Sequence, residues 1–320
     1  MGPTIKAVEE ALRLFAQGDA ILPPKVAINW GTGIDSEERD GRIMAMPAYL
    51  GGPHRVAGLK WIPSVPDNPS RGLPRGVGII VLTNRDTGLP LAVMDVTIVS
   101  AMRTGAVTGV AVRLLANDSS RVATLLGAGV QARTQLLALE EVLRLEEVRV
   151  WDVDPRRARA FCAREAREGY AVVPIDDAAA ACRGSPVVVA ATMAAEPYVE
   201  PSWLEQGSTF VSISSLDPTL ALIATADVCV CDVWEHEIDH PSRPFARALA
   251  AGIVVREQVA ELGELIVGSR PGRTSSSQRV FVSPVGLGIE DIAAAHRVYR
   301  AAVERGIGTR LDLWREPLWT

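Results

Sequence analysis

The run Val122-Ala-Thr-Leu-Leu-Gly127-Ala-Gly129-Val-Gln-Ala132 most constrains what this chain can fold into. An apolar, β-type stretch enters a turn with glycine at 127 and 129 and a small residue at 132, and a helical pattern follows to about Glu146. Glycine at 127 permits a tight turn, glycine at 129 lets backbone approach a bulky anion, and alanine at 132 lets the new helix lie close to its strand. A second strand, Val148 to Trp151, ends in Asp152, twenty-five residues after Gly127. A Gly-x-Gly-x-x-Ala turn between strand and helix, with an acid at that spacing, is a dinucleotide fingerprint. The pyrophosphate lies at the helix N-terminus, over Gly127, Ala128, Gly129, Val130 and Gln131, and the carboxylate binds the ribose hydroxyls. The bland alternative is a glycine turn in a βα unit that holds no nucleotide.

From Arg121 onward, apolar runs at 121–126, 147–151, 186–191, 208–213 and 227–231 alternate with helical patterns, which predicts a doubly wound parallel sheet of Rossmann type. Before residue 117 the texture changes. A helix at about 4–17 precedes short strands at 55–62, 76–83 and 90–94, broken by turns such as Asp67-Asn-Pro-Ser70, which predicts a second, α+β domain. A helix opening at Gly288-Ile-Glu-Asp291 and running to about Glu304 carries one apolar face and can rejoin it. The expected units are thus 1–117 with 286–320, and 118–285 for the nucleotide. Ser275-Ser-Ser277 reads as a mobile loop tip.

A chain of 320 residues can form two cores. With 48% hydrophobic residues but no uninterrupted apolar run of bilayer length, and Glu9, Glu10 and Arg13 in its first helix, it reads as soluble and cytoplasmic. A net charge of −5 gives no general attraction for nucleic acid. Cysteines at 162, 182, 229 and 231 are too few and scattered for a disulfide framework.

Three residues stand out as candidates for chemistry. Arg103 lies mid-way along a capped helix that begins at Asp95 and is built of small and apolar residues; its planar fork suits a ligand carboxylate or phosphate, or a structural salt bridge. Gly105 and Gly109 in the same helix read as a close-packing pair. Lys60 shares a strand face with Val56 and Gly58, where it can bind a carboxylate or snorkel to the surface. Asp217 follows the apolar run ending at Leu216, at the carboxyl end of a parallel strand where ligands of such sheets bind; Asp217-Pro218 can also simply start a turn. His236-Glu-Ile-Asp-His240 fits a zinc-protease pattern, but Pro241 biases His240 away from helical geometry, so no metal is expected.

With these residues in place, the chain resembles the ornithine cyclodeaminase/mu-crystallin family from about Pro23 to Leu313. The matching pieces are Arg42-Ile-Met-Ala-Met-Pro-Ala-Tyr-Leu-Gly-Gly52, Gly58-Leu-Lys-Trp61, Asp67-Asn-Pro-Ser70, Met102-Arg-Thr-Gly-Ala106, the Gly127 loop, Glu261-Leu-Gly-Glu-Leu265, Pro271-Gly-Arg273 and Val285-Gly-Leu-Gly-Ile-Glu-Asp291. The Arg42 and Asp67 pieces look most like the branch of dehydrogenases that cleave N-(2-amino-2-carboxyethyl)-L-glutamate.

The resemblance implies an NAD-dependent enzyme acting on a small amino-acid substrate, and a homodimer. It implies a carboxylate-binding role for Lys60 and Arg103, an acid/base role for Asp217, and cofactor contacts from Thr104, Thr192 and Val285 beside the loop and Asp152. Lys25 falls where cyclodeaminases place a substrate-binding arginine. Met44 and Ala45 stand where they use a glutamate just before the Met-Pro pair. Arg71 and Arg75 are further cations for a substrate with several carboxylates. The expected chemistry is hydride loss from Cα and hydrolysis of the resulting imine. The alternatives are an ornithine or lysine cyclodeaminase, a ketimine reductase or simple amino-acid dehydrogenase, and a binding module without turnover. Asp152 favours NAD, because a carboxylate repels a 2′-phosphate. Asp154-Pro155 is read as starting a helix that directs Arg156 and Arg157 to solvent, the alternative being that one turns inward to accept a phosphate.

Overall fold

The structure, a computed structural model, describes residues 1–31 and 39–312. The end of the first expected unit, 313–320, and the last residue of the resemblance, Leu313, lie outside the described residues.

Among the described residues the strands form two sheets. The first is antiparallel and comprises β1 (Ala20–Ile21), β2 (Val26–Gly31), β3 (Arg39–Leu50), β4 (Val56–Ser64), β5 (Ile79–Asn84) and β6 (Pro90–Asp95), in the order β1-β3-β4-β5-β6 with β2 also on β3. The second is parallel and comprises β7 (Val122–Leu126), β8 (Glu147–Trp151), β9 (Ala171–Pro174), β10 (Val187–Ala190), β11 (Thr209–Ser212), β12 (Val228–Cys231), β13 (Val259–Glu261) and β14 (Val280–Ser283). Its order, β13-β12-β14-β11-β10-β7-β8-β9, is that of a doubly wound α/β fold. The chain leaves β7 towards β8 and β9, then returns to the other side of β7 as β10, which places the topological switch point at β7 and β10.

The helices are α1 (Gly2–Ala16), α2 (Thr97–Leu115), α3 (Val130–Val142), α4 (Pro155–Arg164), α5 (Ala178–Cys182), α6 (Leu220–Ala224), α7 (Trp234–Glu237), α8 (Pro244–Ala250), α9 (Leu262–Val267) and α10 (Gly288–Glu304). The period of Ile5, Val8 and Leu12 gives α1 a buried stripe, and it packs on α2, α9 and α10. α2 is long and apolar enough to cross a membrane, but it is two-thirds buried in the protein and carries Arg103 in its middle. Gly105 and Gly109 serve different neighbours: a Cβ on Gly105 would lie 2.7 Å from the Thr134 carbonyl carbon of α3, and one on Gly109 2.7 Å from Ile5 of α1.

Several local expectations are corrected. β1, β2, β3, β9, β13 and β14 have no counterpart in the sequence reading. β3 is masked by Pro47, which lacks the N–H a ladder needs. The structure accommodates it because β2 pairs with β3 only as far as Ala45 and β1 only from Tyr49, so Pro47 falls between them. α2 begins at Thr97 rather than Asp95, whose carboxylate instead accepts from the Thr97 N–H at 2.9 Å. α3 stops at Val142, short of Glu146, because Leu143 turns extended and Leu143 and Leu145 fold onto the core. The Ser275–Ser277 tip is tied down: the Ser276 carbonyl accepts from Asn117 Nδ2 at 3.0 Å and the Ser277 carbonyl from the Gly207 N–H at 2.9 Å.

α10 lies across β3, β4 and β5, and Gly58 lets it come close. A Cβ there would stand 2.7 Å from the Val81 carbonyl oxygen and also meet Ile292 Cδ1. Gly58→Val is therefore expected to cost about 1–3 kcal/mol through overpacking. A urea midpoint equal to that of the parent would refute this close packing.

Candidate functional site

The expected nucleotide loop leaves β7 at the switch point. Gly127 has φ +100°, and a Cβ there would lie 2.7 Å from the Ala191 carbonyl oxygen, so this turn excludes other residues. Gly129 precedes the first turn of α3, and a Cβ on it would meet nothing nearer than Arg157 Nη2 at 3.9 Å, which leaves an open cradle at the helix N-terminus. The Val130 side chain is exposed, while Gln131 is partly covered. Asp152 is 7% exposed at the end of β8, where Oδ2 accepts from the Ala128 N–H at 2.8 Å and Oδ1 from the Asp154 N–H at 3.0 Å. The carboxylate thus stiffens the loop while standing where a ribose is expected. These features suit a dinucleotide. Arg156 pairs with Asp154 in solvent, and Arg157 is likewise exposed, with Nη1 4.0 Å from Asp152 Oδ1.

A buried ionic cluster joins the antiparallel sheet to α2 and α10. Lys60, on β4 between Met46 and Ile80, is 1% exposed and does not snorkel. Its Nζ lies 2.7 Å from Asp291 Oδ2 and 3.5 Å from Ser100 Oγ. Arg103 Nε donates to Asp291 Oδ1 at 2.9 Å, and Nη1 to Glu290 Oε2 at 3.2 Å. The salt-bridge reading of Arg103 therefore holds, through Nε and Nη1. Burial, reinforced by Arg103, lowers the Lys60 pKa to about 8. Burial pushes Glu290 up to about 8 against the pull of Arg103.

Lys25 extends this arrangement. Its Nζ donates to the Val285 carbonyl at 3.3 Å, and burial followed by Arg243 lowers its pKa to about 8. Asp232, which Lys25 also feels, accepts from the Val233 and Gly286 N–H groups, each at 2.8 Å, and links the end of β12 to the turn before α10.

Asp217 is fully buried beyond the end of β11. Thr192, following β10, donates its hydroxyl to Asp217 Oδ1, and Ser214 donates to Oδ2. Burial raises the Asp217 pKa to about 6 against the Thr192 hydrogen bond, which puts it in the range useful for proton transfer near neutrality. Thr104 bonds back to the Ser100 carbonyl at 2.8 Å, and its own carbonyl accepts from Gln135 Nε2 of α3 at 3.4 Å, so it stands on the α2 side of the loop helix.

Other expected residues are not gathered in. Arg71 is exposed on the turn Asn68–Arg71. Arg75 donates to Met193 Sδ at 2.6 Å, in the loop that follows β10. In the His-Glu-x-x-His segment α7 ends at Glu237, whose carboxylate takes the Phe245 N–H at 3.1 Å and the Ser283 hydroxyl at 2.9 Å. All four cysteines are buried as free thiols. The sequence reading missed Ser100, Ser214, Asp232, Glu290 and Asp291 as members of these clusters. Asp232 did have a visible signal, because it ends an apolar β-run just as Asp152 does.

A model of the ornithine cyclodeaminase/mu-crystallin family matches residues 1–306. N-((2S)-2-amino-2-carboxyethyl)-L-glutamate dehydrogenase of Staphylococcus aureus is 32% identical over 315 residues, covering 97% of this chain and 93% of that protein. Alanine dehydrogenase of Archaeoglobus fulgidus is 35% identical over 322 residues, covering 98% and 95%. The solved structure of an archaeal alanine dehydrogenase dimer with bound NAD superposes with a TM-score of 0.88 at 33% identity, covering 98% of this chain and 95% of that one.

Proposed function

Because the chain belongs to the ornithine cyclodeaminase/mu-crystallin family, we propose that it is an NAD-dependent dehydrogenase that oxidatively cleaves N-(2-amino-2-carboxyethyl)-L-glutamate to 2-oxoglutarate and 2,3-diaminopropionate. The observation that carries this is the meeting of buried Lys60 and Arg103, with Lys25 nearby, in a protein of net charge −5. A substrate with three carboxylates needs such local cations.

NAD, when bound over Gly127 to Gln131 with its ribose at Asp152, supplies the hydride acceptor. Lys60 and Arg103 hold the substrate α-carboxylate through the donors left free by Asp291 and Glu290, which fixes the direction of the Cα hydrogen. Thr104, Thr192 and Val285 line the approach between loop and substrate. Asp217, ionised above about pH 6, takes a proton from water as the water adds to the substrate imine; collapse then releases the 2-oxo acid and the amine. The balance is substrate, NAD and water to 2-oxoglutarate, 2,3-diaminopropionate, NADH and a proton.

The unit 118–285 serves the nucleotide, and 1–117 with 286–320 the substrate. Val26, Ile28 and Trp30 expose an apolar stripe along one face of β2, at 60%, 57% and 40%, which supports a homodimer through this unit, in keeping with the archaeal neighbour's dimer. No role for nucleic acid, membrane or metal is proposed.

The likeness to alanine dehydrogenase favours a second reading, a simple amino-acid dehydrogenase. Product analysis after separate incubation with the glutamate adduct, alanine and ornithine decides among these. NADH with 2-oxoglutarate is expected from the first; ammonia and pyruvate from alanine, with the adduct untouched, would support the second reading; and proline from ornithine would make the chain a cyclodeaminase. A preference for NAD over NADP is also expected from Asp152, and tighter binding of NADP in a fluorescence titration would reverse the role given to that carboxylate and point to Arg157.

A further inference from the structure

Tyr198 is pinned against Asp217 from both its backbone and its ring. The Tyr198 and Val199 N–H groups both donate to the Asp217 carbonyl, at 3.0 and 2.9 Å, and Val199 forms a parallel bridge with Pro218. The ring stands between Trp151, with centroids 5.7 Å apart, and Trp203, at 6.0 Å. The hydroxyl is buried, completes no hydrogen bond of good geometry, and faces the Thr192 hydroxyl and the Asp217 carboxylate. A buried donor left unpaired is costly, so an aromatic residue held this way is better explained by a use for its hydroxyl than by packing alone.

We propose that Tyr198 is a positioning residue for Asp217: its hydroxyl is a third donor to a carboxylate already held by Thr192 and Ser214, and it keeps that carboxylate ionised and correctly turned while protons move. This rests on the acid/base role proposed above for Asp217. Burial and the neighbouring carboxylate push the phenol pKa far up, so Tyr198 stays a donor throughout the working range. The other titratable group that the phenol feels is the Cys182 thiol of α5, itself pushed up to about 12 by burial and therefore neutral. Hydroxyl donors thus hold the Asp217 carboxylate, while the Arg247 guanidinium of α8 bonds to the Ser215 and Pro218 carbonyls beside it, at 3.5 and 3.3 Å. A donor lowers the pKa of the carboxylate it serves.

The test is Tyr198→Phe, which keeps the ring and removes the donor. The acid limb of kcat/KM and the infrared-detected protonation midpoint of Asp217, assigned by its loss in Asp217→Asn, are both expected to move up by about half to one pH unit. Replacing the four tyrosines by 3-fluorotyrosine, a stronger donor, should move the midpoint down in the otherwise unaltered protein, and this serves if Tyr198→Phe does not fold. Unchanged midpoints in both cases, with Asp217→Asn inactive, would overturn the role of Tyr198 alone. An active Asp217→Asn would instead remove the reading on which it rests.

Discussion

Asp217→Asn is expected to lose roughly 10²–10⁴-fold in turnover while binding NAD as the parent does, because the amide keeps the volume and the hydrogen-bonding span but cannot take a proton. The same assignment predicts a pH profile. Asp217 must be ionised, so kcat/KM should fall as the pH drops through about 6. Lys60 must be charged, and its pKa is lowered to about 8 by burial, so activity should fall again as the pH rises through about 8. Single-turnover rates with the adduct, compared across this range, check both limbs. Parent-like turnover in the Asn variant would leave Asp217 as the first residue of a structural turn.

Asp291→Ala is expected to destabilise the protein by about 3–5 kcal/mol, since it leaves Lys60 without its 2.7 Å partner and Arg103 without its 2.9 Å partner in a site where both are largely shielded from water. Asp291→Asn, which still offers one acceptor, should lose less. Urea unfolding of both variants measures this, and a loss below about 1 kcal/mol for the alanine variant would mean that the cluster relaxes and rehydrates. Both variants should also weaken substrate binding, because the same carboxylate sets the position of the two cations.

The parallel sheet and the nucleotide loop were legible in the sequence because their signals are local. A β-run, a turn with glycine at 127, a helix and an acid at the next strand end all lie between Val122 and Asp152, and each is dictated by backbone sterics or by burial of one face. Lys60, Arg103 and Asp217 could be singled out in the same way, as charged residues in apolar company. Their partners could not be read locally. Asp291 lies 188 residues from Arg103 in the chain, and Glu290 lies 187, so only the return of α10 across β3, β4 and β5 brings the four side chains together. The same holds for β3, whose Pro47 looks like a strand breaker until the gap between β1 and β2 supplies an edge that needs no N–H. What the sequence determined by itself was therefore the set of elements whose hydrogen bonds and burial close over short spans. The tertiary structure alone decided which buried charges neutralise one another, because desolvation is set by what surrounds a group in space.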